Sequence, residues 1–455
     1  MKIVILAGGN GTRLWPISRI DSPKQFNKLD IIWWESLFQH SLKRALYLVE
    51  KDEIFIVVNN NNFFHAEIQA EELGVQIKKE NFIFQPSIKE TLPIIALSVS
   101  KIEDDDILFL PSDQIIEDLD LFKNSVNNNK IKTKKGITIF WIKPTKPETG
   151  FGYIEKEDNN TDFSKVKKFH EKPSKDLAKK YIDKWYLWNA WMFLFNSIFF
   201  KELLNEVNPE MKKIIFDSQI TDEEKFNNIE AISIDKWLIE KTNKVFCVNL
   251  GNFWTDLGSF DSIWKYSDKK NIPKKNIIIE WNTKNNFVLS ETKNKEICLV
   301  DVEDLIIVDS EDVLLIAKKW STEKVKKLIK HTKHLIWNTG YRPWGYYKII
   351  NEWKGFKTKR LYVLPWKKMS LQSHNHRSEH WVVAEWTAKI HLWKGQSQEI
   401  ETTLVPKWES IFVAIWQLHR IENPWLLPLV IIETQIWDYL WEDDIKRYED
   451  DFWRK

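Results

Sequence analysis

The chain has 455 residues, 67 Lys and Arg against 65 Asp and Glu, and a formal charge of +2. At about 100–200 residues per domain this is two to four domains, each large enough for its own core. The near-neutral balance excludes a broad basic face for nucleic acid, 2 cysteines exclude a disulfide scaffold and suit a reducing cytoplasm, and no apolar run approaches the about 18–20 residues of a membrane span.

Lys2 to Leu6 is a short apolar run that ends in Ala7-Gly8-Gly9-Asn10-Gly11-Thr12-Arg13. This predicts a strand, a phosphate-type loop and then a helix. Strands are expected at Ile54 to Val58, Ile107 to Leu110 and Ile137 to Ile142, with helices at Ser36 to Val49 and Thr91 to Lys101. Alternating strands and helices argue for an α/β layer with a mixed, mostly parallel sheet, Rossmann-like, over residues 1–268. Residues 269–335 change to short β-branched runs separated by Asn, Asp, Glu and Lys, which predicts a β-rich connector followed by a basic helix capped by Ser321. Residues 336–455 show short strands with turn signals, the pattern of a compact β-barrel.

In the loop, glycines let the backbone approach a phosphate chain, and its amides with a helix N-terminus offer donors to anionic oxygen. Arg13 and Lys24 add charge-assisted contacts. Leu6 to Pro16, followed by Ser22-Pro23-Lys24-Gln25-Phe26, resembles the signature of sugar-phosphate nucleotidyltransferases. Leu14-Trp15-Pro16-Ile17-Ser18-Arg19 narrows the resemblance to mannose-1-phosphate guanylyltransferases. Further matches follow in order: Leu110-Pro111-Ser112-Asp113, Pro144 to Ile154, Glu171-Lys172-Pro173, Trp188-Asn189-Ala190 and Trp254 to Ser259. The resemblance implies a Mg²⁺ site from Asp113 and Asp256, and catalytic roles for Arg13, Lys24 and Lys172. It also implies nucleotide and sugar contacts from Leu6, Ala7, Gly8, Gly9, Gly11, Thr12, Arg19, Gln25, Pro86, Glu148, Gly150, Gly152, Glu171 and Asn189. The chain departs from the family around the base site: Lys89 stands for Arg and Glu90 for Asn within Gln85 to Pro93, which bears on preference for guanine.

Downstream, Gln372 and His374 lie two apart and so share one strand face; Glu379 and His419 complete a four-ligand set suited to Zn²⁺ or another divalent ion. The spacing resembles the two cupin motifs, and the order resembles the type II mannose-6-phosphate isomerase domain fused behind a guanylyltransferase. The resemblance implies metal-assisted interconversion of fructose 6-phosphate and mannose 6-phosphate, with Arg377 or Arg420 holding phosphate or developing charge. The implied ligands are GTP, mannose 1-phosphate and mannose 6-phosphate, with no nucleic acid or membrane partner; a homo-oligomer is allowed. The alternative is a guanylyltransferase whose cupin domain is only structural.

The chain carries 25 Trp and only 13 Gly. At the usual glycine share of about 7%, about 32 would be expected, so the tryptophan excess roughly matches the glycine deficit. All four cupin-motif glycine positions hold tryptophan: Trp366, Trp386, Trp408 and Trp416. Trp191, Trp425, Trp441 and Trp453 also resemble family glycines, whereas Trp15, Trp188, Trp254, Trp344 and Trp381 sit where the family uses tryptophan. The expectation is that UGA codons specify glycine at the first group. The turn at Asn423-Pro424-Trp425 is then expected to need a left-handed backbone.

Overall fold

The computed structural model describes residues 1–9, 11, 14–19, 22–29, 35–102, 104–129, 133–251, 254–269, 278–291, 295–310, 312–329, 331–332, 339–393, 400–439 and 444–449. The chain divides into two compact units, Met1–Leu335 and Ile336–Lys455.

The first unit is built on eleven strands: β1 (Lys2–Leu6), β2 (Ile54–Val58), β3 (Phe82–Phe84), β4 (Asp106–Pro111), β5 (Ile115–Ile116), β6 (Ile137–Ile142), β7 (Tyr153–Lys156), β8 (Phe163–His170), β9 (Leu187–Asn196), β10 (Val245–Asn249) and β11 (Trp254–Thr255). Nine of them form one sheet in the order β3-β2-β1-β4-β9-β6-β10-β8-β7. The Ile- and Val-rich runs are buried on both faces, as central strands between helical layers require; Ile3, Val4 and Ile5 are fully buried. The sheet is mixed, as expected, but its pairings are not mostly parallel: four are parallel and five antiparallel, although seven of the nine strands point one way. Only β8 and β9 run against the rest, with β9 antiparallel to β4, β6 and β7. The helix Leu37–Leu46 starts at Ser36, whose hydroxyl and the side chain of Gln39 close a capping box. Thr12 and Arg13, where the expected helix would begin, lie outside the described residues, and no α-helix is described before Leu37. Among the described residues Leu14 to Ile17 form a tight turn and Lys24–Phe26 a short 3₁₀ turn.

The connector is a parallel coil. Ile278–Trp281 pairs in parallel with Ile297–Val300, and Phe287–Ser290 with Leu305–Asp309, which is flanked by antiparallel Leu314–Lys318. Each parallel pairing joins residues nineteen apart, and Asn282–Asp301, Asn285–Asp304 and Ser290–Asp309 side-chain hydrogen bonds follow the same step. Ser321 occupies the N-cap position of the following 3₁₀ turn but makes no side-chain cap bond, contrary to expectation.

The second unit is an antiparallel jelly roll of a six-stranded and a five-stranded sheet. Its core gathers Trp344, Leu361, Val363, Trp381, Val383, Ile390, Val413 and Ile431.

Among the described residues seven tryptophans adopt a left-handed backbone: Trp185, Trp191, Trp320, Trp366, Trp386, Trp408 and Trp416. A side chain there brings Cβ against a neighbouring carbonyl, at about 1–2 kcal/mol per residue. Trp425 departs from expectation. It is not in that region, and its amide and indole donate to Asn423 Oδ1 (3.1 Å) and Thr387 O (2.6 Å). Trp441 and Trp453 lie outside the described residues.

Candidate active sites

In the first unit, β1 delivers Leu6 and Ala7 to the carboxyl edge of the sheet, where open α/β folds bind ligands. Gln25 is buried and donates to the carbonyls of Ala7 (3.1 Å) and Gly9 (2.7 Å); Asn59 and Asn62 hold those of Gly8 and Ala7. The loop is thereby fixed from behind. A Cβ at Gly8 would meet the Gln85 side-chain oxygen at 2.5 Å, and Gly11, at φ +49° with Lys24 N 2.7 Å from where a Cβ would stand, is required by the shape. Ser112 anchors the neighbouring strand end through Leu6 O at 2.7 Å. Thr12 and Arg13 lie outside the described residues.

Lys24 is the hinge of the site. Its buried ammonium lies 2.9 Å from Asp113 Oδ2 and 2.8 Å from Asp256 O. The two acidic positions, 143 residues apart in sequence, therefore meet the same cation. Asp256 folds its own carboxylate back to the Gly258 amide at 3.1 Å, across a Leu257 strained to φ +40°. Strain of this kind collects at functional turns. Arg19, expected at the nucleotide, is instead fully enclosed and bound to Asp312 Oδ1 (2.6 Å) and Ser310 of the connector; it fastens the loop to the coil. Pro86 is exposed. Glu90 sits at φ +63°, a conformation that asparagine tolerates better, which marks the departure at this segment as strained.

Beside Lys24 opens a cavity of about 710 Å³ whose lining includes Glu148, Gly150, Lys172 and Asp256, four of the residues singled out from sequence. Glu148 is partly buried, which pushes its carboxyl up, but Lys146 and the amides of Gly150 and Thr149 outweigh burial and hold it below the usual range. Lys172, at φ +44°, pairs with Glu171 Oε1 at 2.7 Å. Gly152 is packed so tightly that a Cβ would meet the Phe169 ring at 2.4 Å. Its carbonyl accepts from the Asn189 amide at 2.9 Å. Sequence reasoning missed Lys146, Lys265, Trp320 and Thr322, which also line the cavity, the last two contributed by the connector. It also missed Asp235, which lies behind Asn189 and whose carboxyl burial pushes up to about 7, Glu171 adding to the rise.

In the second unit, strand Leu371–His374 lies antiparallel to His419–Glu422 with Gln372 opposite His419. Gln372, His374, Glu379 and His419 are all buried. His374 Nε2 stands 3.0 Å from Glu379 Oε1, and His419 Nε2 3.8 Å from Glu379 Oε2; the three potential ligand atoms lie within 4.8 Å of one another. Gln372 Nε2 is 3.4 Å from His419 Nε2. Both ring nitrogens of His374 lack a hydrogen bond of acceptable geometry, which is costly for a buried polar ring and suits a ring whose role is to ligate a cation. Burial holds His419 down to about 4, so it is a neutral imidazole at neutral pH, the form that binds metal. Glu379 is held well below the usual carboxylate range: burial opposes this, but His374, His419 and Arg377 outweigh it. His419 Nδ1 faces Gln417 O at 2.8 Å, a backing contact that orients a ligand imidazole. Arg377 is enclosed and donates to Glu379 (3.2 Å), so it holds that carboxylate in place; Arg420 pairs with Glu449 at 2.8 Å.

An open α/β sheet with a glycine loop, followed by a jelly roll with a His/Glu cluster, defines a nucleotidyltransferase joined to an isomerase-type domain. The nucleotidyl transferase family matches residues 2–271, the mannose-6-phosphate isomerase C-terminal family residues 330–450, and the MannoseP isomerase/GMP-like beta-helix domain residues 276–331. The chain belongs to the bifunctional mannose-1-phosphate guanylyltransferase/mannose-6-phosphate isomerase family. It is 34% identical over 481 residues to the mannose-1-phosphate guanylyltransferase of Salmonella montevideo, spanning 99% of both chains. It is 33% identical over 475 residues to the xanthan biosynthesis protein XanB of Xanthomonas campestris pv. campestris, covering 99% of this chain and 98% of that one. Its fold matches the solved structure of a mannose-1-phosphate geranyltransferase from Thermus thermophilus with TM-score 0.62 and 24% identity, over 72% of this chain and 98% of that one. No described helix is long and apolar enough to cross a membrane.

Proposed function

We propose that the first unit transfers GMP from GTP to mannose 1-phosphate, and that the second interconverts mannose 6-phosphate and fructose 6-phosphate, in the cytoplasm, supplying GDP-mannose for surface polysaccharide. The observation that supports the transferase reading is that Lys24 joins the Asp113 carboxylate to the main-chain carbonyl of Asp256, a residue that lines the same cavity as Glu148, Gly150 and Lys172. A phosphate oxygen of mannose 1-phosphate attacks the α-phosphorus of GTP in line; the bond from that phosphorus to the bridging oxygen breaks, and pyrophosphate leaves. The chain needs only to position the two reactants and neutralise charge. The Gly8 to Gly11 backbone takes the triphosphate and Lys24 offers its ammonium to the same oxygens. Lys172 receives the sugar phosphate, and Glu148, ionised, accepts from sugar hydroxyls. Asp113 and Asp256 suit Mg²⁺, which prefers few carboxylates together with phosphate oxygens and supplies charge neutralisation when bound.

In the isomerase, Gln372, His374, Glu379 and His419 fit a divalent ion such as Zn²⁺, which polarises the carbonyl and hydroxyl oxygens when bound. Arg377 and Gln435 keep Glu379 in place.

A pyrophosphate-release assay across the four nucleoside triphosphates and several hexose 1-phosphates tests the reading. GTP with mannose 1-phosphate is expected to exceed every other pair by about tenfold or more in kcat/KM. Equal turnover of all pairs, or none with this pair, contradicts it.

A further inference from the structure

The seven left-handed tryptophans form a distinct population. The other non-glycine residues at positive φ among the described residues are Asn282, Asn285, Asp301 and Asp304, residue types that tolerate it, and Glu90, Lys172 and Leu257 around the candidate site. Tryptophan has no such tolerance. Burial does not compensate either: Trp185, Trp320, Trp366, Trp386, Trp408 and Trp416 are 49–81% exposed. Trp15, Trp188, Trp344 and Trp381, by contrast, are at most 7% exposed and none has a positive φ. Exposure alone does not separate the two groups, since Trp281 and Trp353 are 74% exposed without a positive φ; the backbone sign carries the assignment. We infer that positions 185, 191, 320, 366, 386, 408 and 416 are glycine in the native polypeptide, their UGA codons being decoded as glycine rather than tryptophan. The backbone adds 185 and 320 to the positions singled out from sequence.

The inference reaches the active site, because the Trp320 indole lines the cavity and holds Lys265 Nζ 4.6 Å from its ring centroid. Glycine there widens the cavity and frees that ammonium.

Tandem mass spectrometry of the protein purified from its native cells reads these positions directly. Glycine at all seven, with tryptophan at 15, 188, 344 and 381, is expected; tryptophan at the seven overturns the inference. Recombinant protein carrying W366G, W386G, W408G and W416G together is expected to melt several degrees above the tryptophan form. An unchanged or lower Tm also contradicts it.

A second inference rests on separate hydrogen bonds and on the transferase reading above. The π-helical turn Asp235–Ile239 closes with Glu240 N donating to Asp235 O at 2.9 Å, which places two carboxylates at its ends. Asp235 Oδ1 accepts from Asn189 Nδ2 at 3.3 Å, and Glu240 Oε1 accepts from Glu171 N at 3.0 Å. One short turn therefore grips both segments that present Asn189, Glu171 and Lys172. Ser233 holds Asp235 Oδ2 at 3.2 Å, so the grip does not depend on the indole of Trp191. We propose that Asp235 is a positioning residue that sets the mannose 1-phosphate site. In the full chain, Asp235→Asn is expected to raise KM for mannose 1-phosphate about tenfold, with kcat, KM for GTP and Tm nearly unchanged; Asp235→Ala raises it further. Unchanged KM, or equal losses for both substrates together with a lower Tm, overturns the assignment. Absence of transfer by the wild-type chain instead rejects the transferase reading.

Discussion

Asp113→Asn and Asp256→Asn are each expected to lower kcat for pyrophosphate release by about 100-fold or more, the scale of losing a charge-stabilising group in a preorganised site. The reason is local electrostatics. The reaction gathers the negative charge of a triphosphate and a sugar phosphate in one cavity, and the buried Lys24 is the described cation that touches both aspartate positions. Removing the Asp256 charge leaves the backbone in place, because Asp256 meets Lys24 through its carbonyl and Asn at 256 retains an acceptor for the Gly258 amide; Asn at 113 retains an acceptor for Lys24. KM for the sugar phosphate should therefore move far less than kcat. Steady-state kinetics of purified variants, checked by circular dichroism for intact fold, measure this. A loss confined to KM points to a binding role alone.

The isomerase is expected to fall below detection in Glu379→Gln and His374→Ala, and after chelation, while the transferase recovers fully once Mg²⁺ is returned. Glu379 lies at the centre of the cluster: His374, Arg377, Trp381 and Gln435 all reach it within 3.2 Å. Neutralising it removes a charged ligand and the carboxylate charge that the buried Arg377 Nε reaches, so a loss of stability accompanies the loss of metal. Coupled assays for fructose 6-phosphate formation and for pyrophosphate, run on the same chelated sample, separate the two units. Isomerase turnover that survives chelation contradicts the metal-dependent reading.

Much of this was legible because the chemistry sits on punctuated loops. Glycine, proline and aspartate at strand ends announced the loop after β1, the Asp113 turn and the Glu148 to Gly152 segment, and short strands with turn signals announced the barrel. The antiparallel course of β9 was not legible, since local sequence does not encode a strand's direction. Asp235 and Glu240 escaped because their spacing of five meets one surface only across a π-turn, a geometry that neither helical nor strand periodicity suggests. Arg19 was misplaced because an arginine in a phosphate-type motif looks the same whether it meets a ligand or, as here, Asp312 nearly three hundred residues away. The connector's coil was readable in principle: Asn282 and Asn285 recur as Asp301 and Asp304 at a step of nineteen.

The sharpest test is anomalous diffraction from crystals soaked with Mn²⁺ and GTP. A single ion coordinated by carboxylate oxygens of both Asp113 and Asp256, at about 2.0–2.3 Å as hard divalent cations demand, is the expected result. An ion held by one of them alone, or by neither, contradicts a shared metal centre for nucleotidyl transfer.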